Sequence, residues 1–455
     1  MRRQARGPAA VSLALLLSLA HTALADEAAR PRPLGREFAV ASAPVDPEAQ
    51  LPASPQIAAE IGLADALAAA LLHSPELRAL SFEVRSREAL ALQAGLRPNP
   101  EIGVEVEDFA GSGARSGVDA AQTTLSFAQV VELGGKRVRR QRVAELDTAL
   151  ATWDFEARRL AVFTDATKAF ITVVALQERV ALGADLERIA TEALRSVEST
   201  VRAGAVSPVE AERARVNLER VQLELARNAK ALEAARALLS ATWGESRAQF
   251  GRARGALDAT PPVPALAQLE ALVPESPELA RWNAEIAQRE AALALERSRR
   301  TPDITFSVGA RHYAEGSDAG LVAGFSVPLP LFNRNRGGIL DARYRTARAQ
   351  AERRLTDVSS RAALAAGYQD LLTASSEAEA LRDRIIPRAE RVYRETRRGY
   401  ATGLFRYVEV LDAQRTLFDA RSELIDALTA FHFAATDLER LTGSPLARSA
   451  GGSKP

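Results

Sequence analysis

What most constrains this chain is that its plan is written twice. Ser74-Pro75-Glu76-Leu77 recurs as Ser276-Pro277-Glu278-Leu279, an offset of 202 residues (276 − 74). At that offset Glu83, Arg87, Glu88 and Ala89 meet Glu285, Arg289, Glu290 and Ala291. Pro100, Ile102 and Val106 then meet Pro302, Ile304 and Val308 without a gap. An internal repeat of this length fixes architecture before any local reading does, because both copies must fold alike and pack on each other.

Each copy carries an insertion that differs from its alanine- and arginine-rich surroundings. In the second, Ile304, Phe306, Val308 and Ala310 alternate with Thr305, Ser307, Gly309 and Arg311. After the turn Glu315-Gly316-Ser317-Asp318, Leu321, Ala323, Phe325 and Val327 alternate with Gly320, Val322, Gly324 and Ser326. Period two on both arms of a polar turn predicts a β-hairpin, here over 303–328. The first hairpin is expected over 101–131, with Ile102, Val104 and Val106 on one face and Gly103, Glu105 and Glu107 on the other.

Around the hairpins the pattern is helical. A first helix over Gly62–Arg97 breaks near Ser74-Pro75, and a long one runs from about Lys136 to about Arg202. Gly204 and Ser207-Pro208 end it, with Ser207 placed as N-cap and Pro208 as first residue of the next helix. That helix carries Ala211, Ala214, Leu218, Val221, Leu225, Asn228, Leu232, Ala235 and Leu239 at alternating steps of three and four, the seam of a coiled coil with Asn228 as its one polar member. The second copy repeats the plan, with a helix over about Gly338–Gly399, a turn at Thr402-Gly403 and a last helix to Leu441. The expected organisation is a first repeat over 61–242, a proline-bearing linker or equatorial segment over 243–274, a second repeat over 275–442 and a disordered tail over 443–455. Ahead of these, Arg2, Arg3 and Arg6, the apolar run Ala9–Ala20 and Ala23-Leu24-Ala25 predict a signal peptide over 1–25. A proline-bearing extended segment follows over 26–60, and with no cysteine after the cleavage point the chain is expected to be exported and not lipidated.

Composition then excludes whole classes. A net charge of +1 gives no footing for nucleic acid. With no cysteine, four histidines and one methionine, thiolate metal sites and disulfides are excluded. His73, His312 and His432 have no second histidine at ligand spacing and read as structural or surface residues. Gly134-Gly135-Lys136 lacks the P-loop spacing and reads as a turn. No acid, base and nucleophile converge, so neither an enzyme nor a resident cofactor is expected. A periplasmic coiled-coil scaffold would account for the helices but not for paired ten-residue strands at matched positions.

Lengths point to one solution. A helix of ~60 residues is ~90 Å long, beyond any globular core, and strands of about ten residues cross an outer membrane when tilted. Four strands cannot close a barrel, eight fill their own interior, and twelve leave a lumen. The fold class expected is mainly α with a small β part. Tandem helical hairpins form a tunnel, and four transmembrane strands per chain make a twelve-strand barrel in a homotrimer, with the apolar rows in outer-membrane lipid.

Pro98-Asn99-Pro100-Glu101-Ile102, Val131-Glu132-Leu133-Gly134-Gly135-Lys136-Arg137, Pro328-Leu329-Pro330-Leu331-Phe332-Asn333-Arg334-Asn335, and Tyr400 and Gly403 followed by Val410-Leu411-Asp412-Ala413-Gln414 and Leu417 together resemble the TolC-like outer-membrane efflux family. Within it the chain is most similar to the heavy-metal branch, the CzcC-type partner of cobalt–zinc–cadmium exporters. The similarity runs from about Ile61 to Leu441. It implies a channel with a long periplasmic extension that docks through a periplasmic adaptor (membrane fusion) protein onto a proton-driven inner-membrane pump of the RND type. General drug efflux and type I secretion ducts share the same fold. The chain departs from the pattern at Val130, where proline is common, and at Phe405, where some relatives place a basic gating residue. It also has no cysteine to match the lipidated one of several relatives.

The candidate functional residues follow. Glu409 and Asp412 stand three apart on the last helix, one to two turns from the Gly403 tip, and share a face. A three-fold axis would make each a carboxylate ring at the inner mouth, of the kind that selects cations. Tyr400 and Phe405 complete the candidate gate. Glu105 and Glu107 point to the predicted lumen, and the turns at Gly204, Ser207 and Gly403 are the expected adaptor contacts.

Overall fold

The structure, a computed structural model, describes residue 34, residues 38–44, residue 55 and residues 57–446. The expected signal peptide over 1–25, most of the extended segment over 26–60 and residues 447–455 of the tail lie outside the described residues.

The chain begins with β1 (Glu60–Gly62), α1 (Leu63–His73) and α2 (Pro75–Ala94), followed by the strands β2 (Glu101–Glu107) and β3 (Gln122–Val131). Next come α3 (Lys136–Arg202) and α4 (Pro208–Ala241), then β4 (Arg252–Arg254) and the short α5 (Leu266–Glu270). The second copy supplies α6 (Pro277–Ser298), β5 (Ile304–Tyr313), β6 (Asp318–Ser326), α7 (Arg336–Ala380), a π turn at Leu381–Ile385, α8 (Ile386–Ala401) and α9 (Tyr407–Thr442). Both copies start their first long helix the same way. Ser74 accepts from the Leu77 N–H at 3.3 Å and Ser276 from the Leu279 N–H at 3.4 Å, each with proline at the first position. The cap satisfies an otherwise orphaned donor, and proline loses nothing where no N–H is needed.

The four long strands form one antiparallel sheet in the order β2-β3-β5-β6. Register carries the alternation of each strand across all four. Val104 faces Leu125, Leu125 faces Ala310 and Ala310 faces Leu321; Gly103 faces Ser126, Ser126 faces Gly309 and Gly309 faces Val322. One face is therefore a continuous apolar surface, exposed in the single chain at Ile102, Val104, Leu125, Phe306, Leu321 and Phe325. The other is small and polar.

The helices form an array that follows the strands. Near the sheet α3 packs between α2 and α6, and α7 lies beyond α6; toward the far end α3 packs between α4 and α9, and α8 lies beyond α9. α3 has 67 residues and spans ~100 Å. An 18-residue window within it has mean hydropathy 1.4, long and apolar enough by length and composition to cross a membrane. That window is 61% buried, because Phe163, Phe170, Val173 and Val174 supply the central core against α1, Trp243, Phe250 and Ala253.

Three features depart from the sequence reading. The segment over 243–274 is more than a linker. β4 pairs in parallel with β1, and Trp243, Phe250, Leu257, Leu269 and Val273 are buried. Residues 443–446, expected in the disordered tail, are part of the fold. Leu446 is buried, its N–H donates to Glu439 at 3.0 Å, and the Gly443 carbonyl accepts from Leu34. Burial raises the Glu439 pKa, offset in part by the Leu446 N–H. Finally, the helix after the second hairpin is interrupted at the π turn, where Ile386 N–H bonds to the Leu381 carbonyl, five residues back. Pro387 is the cause, since it donates no hydrogen bond and its ring crowds the carbonyl four residues back.

Candidate functional site

The far end of the molecule consists of two turns that align at an offset of 199 residues (403 − 204). In the first, Gly204 has φ 71°, its N–H bonds to Val201 O at 2.9 Å, and Ala205 N–H bonds to Thr200 O at 3.1 Å. In the second, Gly403 has φ 76°, its N–H bonds to Tyr400 O at 3.1 Å, and Leu404 N–H bonds to Gly399 O at 2.8 Å. This is the left-handed helix ending that only glycine adopts without strain. Ser207 caps α4, accepting from the Val209 N–H at 3.3 Å. Gly204, Ser207 and Gly403 are all exposed.

Between the turns the four helices α3, α4, α8 and α9 meet on an apolar cluster of Val197, Ala211, Ala214, Tyr407 and Val410, with Tyr393 and Tyr400 packed against it. The Tyr400 and Tyr407 rings stand 5.8 Å apart at 54°. A cavity of about 860 Å³ opens beside them, lined by Ser207, Glu210, Phe405 and Gln414 among others. Burial pushes the Tyr407 phenol up to about 12, with smaller contributions from Tyr400, Tyr393 and Glu210. Its hydroxyl and one Glu210 carboxylate oxygen are buried without a hydrogen-bond partner among the described residues. Burial also raises the Tyr400 pKa, and Thr200 facing it lowers it in part.

Phe405 folds back onto the end of α8. A Cβ built on Gly399 would collide with its ring, so glycine there is what admits the phenylalanine. Glu409 and Asp412 are both exposed. Glu409 accepts from the Arg406 N–H at 2.7 Å and so caps α9, a role the sequence reading did not give it. The side chain of Asp412 holds no hydrogen bond or ion pair among the described residues. In the first turn Glu210 matches Glu409, but Arg213 stands where Asp412 does and pairs with Glu210 at 3.4 Å.

At the other end, Glu105 and Glu107 lie on the small, polar face of the sheet. Glu105 is exposed and has no ion pair among the described residues, whereas Glu107 pairs with Arg311 at 2.8 Å. Among the described residues no three His, Asp or Glu side chains gather to hold a metal. His432 lies 2.8 Å from the Leu257 carbonyl, and burial lowers the His73 pKa. The tyrosine cluster went unread as a unit, though three of the chain's six tyrosines stand seven apart at 393, 400 and 407.

Comparison with known proteins fits this geometry. The model of the family described as outer membrane efflux protein matches residues 66–245 and 269–444. The cobalt-zinc-cadmium resistance protein CzcC of Cupriavidus metallidurans is 35% identical over 414 residues, 90% of this chain and 96% of that protein. The nickel-cobalt-cadmium resistance protein NccC of Alcaligenes xylosoxydans xylosoxydans is 29% identical over 281 residues, 62% of this chain and 63% of that protein. A membrane protein from Pseudomonas aeruginosa shares the fold with a TM-score of 0.71 at 18% identity, over 84% of this chain and 90% of its own. The chain belongs to the outer membrane efflux protein family, whose members are channels and not enzymes.

Proposed function

We propose that three copies of this chain form the outer-membrane duct of a tripartite, proton-driven efflux system. The duct carries divalent heavy-metal cations from an inner-membrane RND pump and its periplasmic adaptor to the exterior. One observation carries the reading: the chain ends in open edges at both levels. β2 and β6 are unpaired at the sides of the sheet, and an open edge bearing a lipid-ready apolar face must be closed by another copy. At the far end α4 and α8 are the outer helices of their array.

Those two helices also bear unpartnered apolar stripes. Val209, Val216 and Leu223 are exposed on α4, as are Ile385 at the end of the π turn and Val392 on α8. Val216 lies eight residues from Pro208, and Val392 nine from Ala401, so they stand at one height above the turns. Leu223 and Ile385 match one heptad further on. Glu219 and Arg391, neither with an ion pair among the described residues, flank the stripes with opposite charge. Three copies joined α4 to α8 give a twelve-helix tunnel beneath twelve strands, wide enough for a lumen. The metal cargo rests on the similarity to CzcC and NccC, resistance proteins for cobalt, zinc and cadmium and for nickel, cobalt and cadmium, and the exposed turns at Gly204, Ser207 and Gly403 are the surfaces offered to the adaptor.

The test uses the chain's lack of cysteine. Light scattering in detergent should give three times the mass of one chain. Val216→Cys with Val392→Cys should then lock three chains on oxidation. A monodisperse, folded monomer would overturn the trimer, and a trimer that never forms the disulfide would overturn the α4–α8 seam alone.

A further inference from the structure

On the small, polar face of the sheet the charged side chains are Glu101, Glu105, Glu107, Arg311 and Asp318. Arg311 is the one cation among them, and it is held by neighbours on two other strands. Its Nη2 pairs with Glu107 Oε2 at 2.8 Å, its Nε donates to Thr124 Oγ1 at 2.8 Å, and its Nη1 donates to Gln122 Oε1 at 3.0 Å. Gln122 Nε2 in turn donates to Asp108 Oδ2 at 2.9 Å, and Asp108 pairs with Arg115 in the loop after β2. The group runs unbroken from loop to strand wall. Its formal charges, two carboxylates and two guanidiniums, cancel. Among the described residues Glu101 and Glu105, closer to the helices, and Asp318, at the outer end, have no ion pair.

We propose that Arg311 sets the charge selectivity of the strand-lined pore: it cancels Glu107 at the outer mouth and leaves Glu101 and Glu105 deeper in the barrel, with Asp318 at the outer rim, as the groups that favour cations. The inference rests on the channel reading above. A ring of carboxylates raises local cation concentration and a ring of guanidiniums raises that of anions. The Glu107–Arg311 ring does neither while both members are present. The pair is water-facing, with side chains 42% and 25% exposed, and such pairs add little to folding. Removing one member therefore alters the field in the pore more than the fold.

The experiment measures reversal potentials of the full-length channel in planar bilayers under a potassium chloride gradient. Arg311→Gln should shift selectivity toward cations, and Glu107→Gln should shift it toward anions. The double variant should return close to the unsubstituted value, and Arg311→Lys should leave it unchanged. If Arg311→Gln and Glu107→Gln both leave selectivity unmoved, or move it in one direction, the assignment is overturned. A trimer that inserts but never conducts would overturn the channel reading itself, and this assignment with it.

Discussion

At the turn after α3, Gly204 is followed by Val206, Ser207 and Pro208; at the turn after α8, Gly403 is followed by Phe405, Arg406 and Tyr407. The backbones match, with φ 71° and 76° and equivalent hydrogen bonds. The side chains do not. The first turn begins its returning helix with a serine cap and a proline, and its Glu210 has Arg213 as counter-ion. The second uses a glutamate cap, leaves Asp412 unpaired and packs three tyrosines beneath it. The helix leading to the first turn is continuous for 67 residues, whereas the helix leading to the second changes pitch at Pro387. A duplication kept the scaffold in both copies and let the second diverge in charge and in jointing. The second turn is therefore where a gate is to be sought.

The largest effect should come from exchanging the residues under the two turns. Thr200 in the first stands where Gly399 stands in the second. Gly399→Thr drives a side chain into the Phe405 ring, and overpacking of this kind costs ~1–3 kcal/mol. Thr200→Gly should cost only ~0.5–1 kcal/mol in lost helical preference. Thermal melts of the helical signal in detergent would compare them. Equal losses would mean that Phe405 is not locked onto Gly399, and that the second turn is as open as the first.

Charge gives the next contrast. Glu409→Gln with Asp412→Asn removes two uncompensated carboxylates per chain, six in the proposed trimer. The change should lower cation-over-anion selectivity in planar bilayers and weaken block by divalent cations added from the inner side. Glu210→Gln with Arg213→Gln removes a pair that is already neutral and should change neither. Should both double variants behave alike, Glu409 and Asp412 form an ordinary solvated helix face, and the gate moves to Tyr400 and Phe405.

These contrasts also mark where the sequence stopped being informative. The strand faces were legible because period two is local, and Phe306 and Ser307 need no neighbour to declare their sides. The π turn was legible in principle from Pro387 inside a helical pattern. The capping role of Glu409 was not, because Arg406 is no serine or threonine, and the familiar capping box was missing. The pairing of Glu107 with Arg311 joins residues far apart in the chain, as does the tyrosine cluster. Trp243 and Phe250 were hidden for another reason: prolines and short elements erase periodicity while the residues still enter the core.

The smallest effect, and the finest probe of the second turn, lies in Tyr407, whose counterpart in the first turn is the non-ionisable Pro208. The Tyr407 hydroxyl is buried without a partner, so Tyr407→Phe should be close to neutral at pH 7, within ~1 kcal/mol. The difference should appear in alkali. The phenol has a pKa of about 12 in the folded chain against 10.0 for an unburied tyrosine. Below pH 10 both states hold the proton and stability does not vary with pH through this group. Between 10 and 12 the unfolded chain releases it while the folded chain does not, so stability falls as pH rises. Tyr407→Phe should flatten that decline, whereas Glu210→Gln in the first turn, which removes only a minor contribution to the phenol's shift, should flatten it far less. The measurement is the denaturant midpoint of the helical signal at pH 9, 10 and 11. A variant that declines as steeply as the unsubstituted chain would show that Tyr407 ionises freely in the fold. The cluster beneath the second turn would then be open to water, and the two turns would be alike in packing as well as in backbone.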